Sequence, residues 1–245
     1  MMTGTAALTA VAVCLGGATP AFAAGRAKPA KLKAVKDPLA SLRSKALSDL
    51  TVYGKRLSVV LRAGAVSTVL SDAEVGALHD AGVLEGVALR DDRVAVTRAK
   101  TKKALAAAVS SGQRTVSVAS LQLLLTTAAE THLAAGNAIA DAAATLSDAA
   151  TTAAADGSDT TGVTDALDAV TIDLESAQGD ESIVVSDVLE LAANATAQQL
   201  KAAVTTGNDD VTLVDQDVSD AATDLATAQA AFDDLPPGDA TGGDF

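Results

Sequence analysis

The chain has 245 residues, of which 49% are hydrophobic and 2% aromatic, and its formal net charge at pH 7 is −13. This length and hydrophobic content allow a sizeable core, which excludes a chain that is disordered throughout. The apolar residues are mostly Ala, Val and Leu, so each buries little area, and helices must pack closely over long distances to gain stability. The composition therefore favours extended helical packing over a compact globule with an aromatic centre.

The charges are divided between the two halves of the chain. Residues 1–115 hold seventeen of the eighteen Lys and Arg residues and eight acids, whereas the remainder holds 23 acids and Lys201 as its only cation. This polarity affects what the surface attracts and how the halves associate, but it identifies no substrate and no reaction.

Residues 1–23 are typical of an export signal, with an apolar stretch over Ala6–Ala18 and the small-x-small triplet Ala21–Ala23 before a predicted cleavage site. The stretch lacks an initial Lys or Arg, so an upstream start or an ordinary N-terminal helix remain alternatives. Cys14, the only cysteine, follows Val13 instead of the small residue that a lipid anchor requires. We expect a secreted or cell-envelope protein that, after cleavage, has no disulfide and no membrane span.

Residues 24–36 contain five cations, one proline and no acid, which predicts a flexible basic arm. Such an arm could bind an anionic envelope polymer or a lipid surface through long-range attraction that salt weakens. The alternative is a solvated linker without a partner. Residues 236–245 lack hydrophobic periodicity and are predicted to be a disordered tail.

Residues 37–111 are interpreted as a basic helical segment. Asp37 and Pro38 predict a helix start, and the helix should end near Gly64. Its apolar positions recur at three- and four-residue steps: Leu39, Leu42, Ala46, Leu50, Tyr53, Leu57 and Val60.

The second part of this segment, residues 66–111, is harder to interpret. Ser71 and Glu74 have the spacing of a capping box, and Gly82 is placed to end a short helix. Val87–Thr97 fits either a hairpin or a helix. Ala and Leu content favours the helix.

Residues 112–235 predict an acidic four-helix region. The helices are expected near Gln113–Ala155, Thr161–Gln178, Glu181–Thr206 and Asn208–Leu235, with turns at Gly179-Asp180 and Gly207-Asn208. The first helix carries a coiled-coil-like seam of Leu121, Leu125, Ala128, His132, Ala135, Ile139, Ala142, Leu146 and Ala149. Short turns make neighbouring helices antiparallel, so the predicted fold is an all-α, Ala-rich, up-and-down bundle with long helices.

Few residues could carry chemistry. His132 lies on the apolar seam and is expected to be buried and hydrogen-bonded or at the seam's margin, because no second His or Cys stands at helical spacing to it. His79 is expected at a helix end near Asp80, where the helix dipole favours a cation. Neither is assigned a metal or a catalytic role.

The acidic half suggests a calcium site, but the spacing fails. If Gly162 takes the sixth position of a helix–loop–helix calcium site, Gly157 falls where the first Asp ligand is needed. A second acidic group also lacks a glycine at the sixth position: Asp209, Asp210, Asp215, Asp217 and Asp220. These acids are interpreted as a solvated face, so no metal ligand is assigned.

The sequence also lacks hydrolase, zinc-peptidase, phosphate-loop and dinucleotide motifs, so no catalytic or cofactor-binding residue is assigned. Scarce aromatics weaken the case for nucleic-acid binding. The sequon at Asn194 falls within a predicted helix and is given no weight.

The leading interpretation is an exported, non-enzymatic helical protein with a binding or structural role at the cell envelope or outside the cell. The alternative is an acidic protein that binds divalent cations with low affinity, because 23 crowded acids repel one another. Self-association, through apolar seams or between the basic and acidic halves, remains open.

Overall fold

The computed structural model describes residues 37–236. This part of the chain contains no strand and five α-helices: α1 (Ala40–Ala65), α2 (Asp72–Arg98), α3 (Lys102–Ala155), α4 (Thr161–Leu189) and α5 (Ala197–Asp233). The predicted all-α, up-and-down bundle is confirmed. The predicted export signal with Cys14, the basic arm and residues 237–245 of the predicted tail lie outside the described residues.

One helix, α3, packs against all four others. Its N-terminal part forms a core with α1 and α2 that includes Leu50, Leu89 and Ala119. Beyond Leu121 it instead shares cores with α4 and α5. The architecture is therefore two three-helix bundles that share α3.

The ends of α3 have clear sequence causes. Thr101 caps its start, because the Thr101 hydroxyl accepts a hydrogen bond from the Ala104 amide at 3.1 Å. At its other end Gly157 adopts a φ of +94°, and the Ser158 amide donates to the Ala153 carbonyl. Between these points the helix runs for 54 residues, which at 1.5 Å per residue is roughly 80 Å.

Small buried residues repeat every seven positions where α4 and α5 pack against each other and α3. The repeating positions are Val163, Val170, Ala177 and Val184 in α4, and Gly207, Val214, Ala221 and Ala228 in α5. A seven-residue repeat keeps one seam towards the partner helix, and small side chains at that seam let the backbones approach closely. This explains how a chain with so few aromatic residues builds a core.

Two predicted turns are wrong, and residues 112–235 contain three helices, not four. Gly179 lies inside α4, where the flanking seam residues Ala177 and Val184 are buried and outweigh the roughly 1 kcal/mol that a helical glycine costs. Gly207 lies inside α5, where it makes room for Leu125.

The actual break between α4 and α5 falls at residues 190–196, inside the predicted third helix. Thr196 and Gln199 form a capping box that starts α5. The seam of α4 continues through Val184 and Val188, which are buried.

The basic segment is only partly as predicted. The capping box is confirmed, because the Ser71 amide donates to Glu74 Oε2 at 2.8 Å and the Glu74 amide donates to Ser71 Oγ at 3.3 Å. Gly82 does not end the helix, which continues to Arg98, because Leu61 of α1 packs where a Cβ of Gly82 would lie. Val87–Thr97 is helical, so the hairpin alternative is excluded.

The start of α1 also differs from the prediction. Asp37 accepts a hydrogen bond from the Leu39 amide at 2.9 Å, but the helix begins at Ala40. Arg43, one turn into α1, contacts Asp37 and donates to the carbonyl oxygens of Val96 and Ala99 at 3.2 and 2.9 Å. This arginine therefore joins the start of α1 to the end of α2.

The seam of α3 is confirmed at Leu121, Leu125 and Leu146 and wrong at Ala135 and Ala142, which are exposed. Because α3 contacts both α4 and α5, its buried face is wider than a two-helix seam and includes Ala129 and Gly136. Within residues 37–236, no α-helix combines the length and the apolar composition that a membrane span requires.

Opposite effects are predicted for alanine at two helical glycines, Gly179 in α4 and Gly112 in α3. Gly179→Ala should raise the free energy of unfolding by about 0.5–1 kcal/mol, because Gly179 is exposed in a helix interior and a Cβ meets no atom within 4 Å. Gly112→Ala should lower it by about 1–3 kcal/mol, because the Cβ would overlap Leu50 and lie 3.1 Å from Leu89. Urea unfolding of both variants checks this. A turn at Gly179 would instead make the alanine destabilising.

Candidate metal centre

Three glutamates from three helices meet where the two bundles join. Glu74 lies in the first turn of α2, Glu130 in the middle of α3 and Glu181 in the second half of α4. Each places one carboxylate oxygen so that the three oxygens lie within 4.8 Å of one another. We call this group the glutamate cluster.

The capping box fixes the position of Glu74. Its Oε2 accepts hydrogen bonds from the amide and the hydroxyl of Ser71, both at 2.8 Å, so the side chain folds back over the helix start. Glu74 is 7% exposed, and its Oε1 is buried without a hydrogen-bond partner. A buried oxygen with no donor is costly, which indicates a missing partner at this point.

The other two carboxyl groups are half-buried and perturbed. Burial is the main reason that the pKa of Glu130 is raised to about 7. The contact with Glu74 and the negative charges of Glu74 and Glu181 raise it further. Burial and the charge of Glu74 also raise the pKa of Glu181, against a lowering contact with Ser182. Like charges held close together in a partly buried site favour either a shared proton or a bound cation.

The donor atoms suit a hard divalent cation. All three are carboxylate oxygens, the ligands that Ca²⁺ and Mg²⁺ prefer, and no His or Cys belongs to the cluster. Two oxygens bound to one Ca²⁺ ion lie at most about 5 Å apart. The 4.8 Å limit on the spacing is therefore compatible with a single Ca²⁺ ion.

A polar contact network holds α4 in place beside α3. The side-chain amide of Gln122, itself 2% exposed, donates to the Val188 carbonyl at 3.3 Å. Arg114 donates to the Ala195 carbonyl in the α4–α5 turn at 3.1 Å. Because these bonds fix the end of α4 against α3, they also help to fix the separation of Glu181 and Glu130.

Neither histidine belongs to the glutamate cluster. His132 is at the margin of the seam, half-buried, with Nδ1 2.9 Å from Asp215 Oδ1 of α5. His79 is exposed within α2 and not at its end, because the helix continues past Gly82.

The acids of residues 156–168 form no calcium loop in the structure. Asp156 ends α3, and Asp159 accepts hydrogen bonds from the Thr161 amide at 3.1 Å and the Thr161 hydroxyl at 2.7 Å. Both bonds lower the pKa of Asp159. These acids therefore shape the turn into α4.

The acids of α4 and α5 are not all on a freely solvated face. Asp210 and Asp217 each have a carboxylate oxygen that is buried without a hydrogen-bond partner. Burial and the charges of three α5 acids raise the pKa of Asp173 in α4; these acids are Asp224, Asp220 and Asp217. The two helices therefore hold some like charges close together along their contact.

Asn194, predicted inside a helix, lies on the exposed turn between α4 and α5. Its sequon is therefore on the surface of the described structure.

Sequence reasoning assigned no metal ligand and did not associate the three glutamates. The sequence identifies Glu74 only as part of the capping box. It predicts Glu181 at the start of a separate helix, whereas Glu181 lies in the interior of α4. No spacing rule connects three residues that lie more than fifty positions apart along the chain, so only the packing of α2 and α4 against α3 could find the cluster.

Comparison of the chain with protein-family models, with curated proteins and with solved structures found no match.

Glu130→Gln should stabilise the metal-free protein at pH 8 by about 1 kcal/mol, a value reduced for the partial exposure of the site. An acid whose pKa is raised by folding loses stability as pH rises from the unfolded value, here 4.5, to the folded value of about 7. The gain should therefore be small at about pH 5 and complete at about pH 8.

Urea unfolding in EDTA at both pH values measures this gain. Asp148→Asn, which removes the same charge from an exposed position on α3, is the matched control and should show little pH-dependent gain. Equal gains for the two variants would contradict a specific repulsion within the glutamate cluster.

Proposed function

We propose that this protein is a non-enzymatic helical protein that binds a divalent cation, of the Ca²⁺ class, between Glu74, Glu130 and Glu181. The observation that carries this proposal is the buried, unpartnered Oε1 of Glu74 beside two further carboxylates. A cation supplies the positive partner that this oxygen lacks and removes the repulsion among all three groups.

The bound cation has a structural role in this proposal. It connects the start of α2, the middle of α3 and the interior of α4, which are the elements that meet at the junction of the bundles. Loading the site therefore stabilises the junction, because a ligand that binds only the folded chain adds to its stability.

A proton is the competing occupant. At a pH below about 7 Glu130 holds a proton in the metal-free site, and a cation must displace it. Cation affinity should therefore rise between about pH 6 and pH 8.

Residues 1–23 support a place of action outside the cell or at its envelope. Extracellular calcium-binding modules have dissociation constants of about 0.1–1 mM.

The crowded acids along α4 and α5 offer a second, less specific place for cations. Asp173 and Asp224 are close enough for a side-chain contact that raises the pKa of Asp173. Cations there would act by screening, without a defined set of ligands. A variant at this surface distinguishes it from the glutamate cluster.

Calcium chloride at 10 mM should raise the melting temperature of the protein by about 3–6 °C over NaCl of equal ionic strength, for a dissociation constant near 1 mM. Magnesium should raise it less, because Mg²⁺ demands shorter, octahedral contacts. Differential scanning calorimetry measures both shifts.

Glu130→Gln should abolish most of the calcium shift, whereas Asp224→Asn, which removes the same charge from the α4–α5 surface, should retain it. A calcium shift that NaCl reproduces, or that survives Glu130→Gln and not Asp224→Asn, would overturn the proposed site.

A further inference from the structure

A further acid that is buried without a partner lies in α2. Glu85 of α2 is 1% exposed, and neither carboxylate oxygen has a hydrogen-bond partner. Burial raises the pKa of Glu85 to about 8. A carboxyl group placed so deeply without a donor is rare and indicates either strain or a missing ligand.

Glu85 lines a cavity of about 410 Å³ between α1, α2 and α3. This volume lies within the range of about 300–1,000 Å³ typical of small-molecule sites. The walls are largely apolar and include Val60, Leu61, Leu78 and Leu123. We call this the Glu85 cavity.

The charges that line the Glu85 cavity are nearly all of one sign. The helix α2 contributes Asp72, Asp80 and His79 in addition to Glu85, whereas the residues from α1 and α3 are uncharged and include Gln122 as the polar member from α3. No Lys or Arg lines the cavity. The electrostatic field therefore favours a cationic ligand and disfavours an anionic one.

We propose that the Glu85 cavity binds a small apolar amine whose ammonium group donates hydrogen bonds to the carboxylate of Glu85. The apolar walls take the body of the ligand, and the Glu85 carboxylate, whose oxygens are covered by neighbouring protein atoms in the free chain, turns towards the cavity to meet the ammonium group. This ligand and place differ from the cation at the glutamate cluster, so the proposal stands or fails independently of it.

Binding has a proton balance that can be measured. In the free protein at pH 7 Glu85 holds its proton, and an ammonium ligand favours the carboxylate, so binding transfers this proton to the buffer. The affinity should therefore rise between about pH 6 and pH 8. His79 is a further ionisable residue of the cavity, beside Asp72 and Asp80, and His79→Asn should leave the release intact.

The test is isothermal titration calorimetry of phenethylamine into the full chain, in EDTA and in two buffers of different ionisation enthalpy. We expect one saturable site with release of a proton. The neutral analogue 2-phenylethanol and the anion phenylacetate should bind at least roughly 30-fold more weakly.

Glu85→Gln should weaken phenethylamine binding roughly 30-fold and abolish the proton release. Asp91→Asn, which removes a charge from an exposed position on the same helix, should retain both. Circular dichroism checks that each variant is folded.

A second pair of variants tests the cavity without altering Glu85. Gly76 and Gly86 are both helical, and a Cβ at either meets no atom within 4 Å, but only Gly76 lines the cavity. Gly76→Leu should weaken binding, and Gly86→Leu should not. The proposal would be overturned if 2-phenylethanol bound as tightly as phenethylamine, or if Glu85→Gln bound phenethylamine with unchanged affinity. Equal effects of the two glycine variants would also overturn it.

Discussion

The structure depends on close packing of small side chains along a single continuous helix. Because α3 contacts α1 and α2 with one part and α4 and α5 with the rest, a bend in it would separate two cores at once. Glycines at the contacts, such as Gly112 beside Leu50 and Gly136 beside Leu174, let partner side chains approach the α3 backbone. This replaces the aromatic core that the chain lacks.

The same packing places acids in unusual surroundings. The buried stripe of α2 contains Glu74, Glu85 and Asp92 as well as leucines and Val96. Burial raises the pKa of Asp92, although contact with Ser111 and the charge of Arg114 oppose this. Buried acids weaken a helical core unless they have partners, so their position on the inner face of α2 is best explained by the ligands that we propose for two of them.

Sequence periodicity predicted much of the fold. Apolar residues at three- and four-residue steps identified the buried positions Ala46, Leu50 and Leu57 of α1, whereas Leu42, predicted on the same face, is exposed. Prediction failed where glycine was taken as a stop signal. Gly82 and Gly207 are glycines because Leu61 and Leu125 pack against them, a tertiary reason that no local rule contains.

The glutamate cluster was beyond sequence reasoning for a related reason. Its members are distant along the chain, and Glu181 could be oriented only after α4 was known to continue through Gly179. In contrast, the local capping pattern of Ser71 and Glu74 was predicted correctly, since both residues lie within one turn. Sequence patterns therefore predicted contacts within one helical turn, but not contacts that form only when distant helices pack together.

The continuity of α3 is tested most directly by a distance measurement across both glycines. Spin labels at Ser110→Cys and Ala138→Cys, in a Cys14→Ser background, occupy exposed positions on α3 that span Gly112 and Gly136. Double electron–electron resonance should give one narrow distribution of label–label distances near 42 Å, from 28 residues at roughly 1.5 Å each. A broad distribution, or a mean distance much shorter than this, would contradict the shared straight helix.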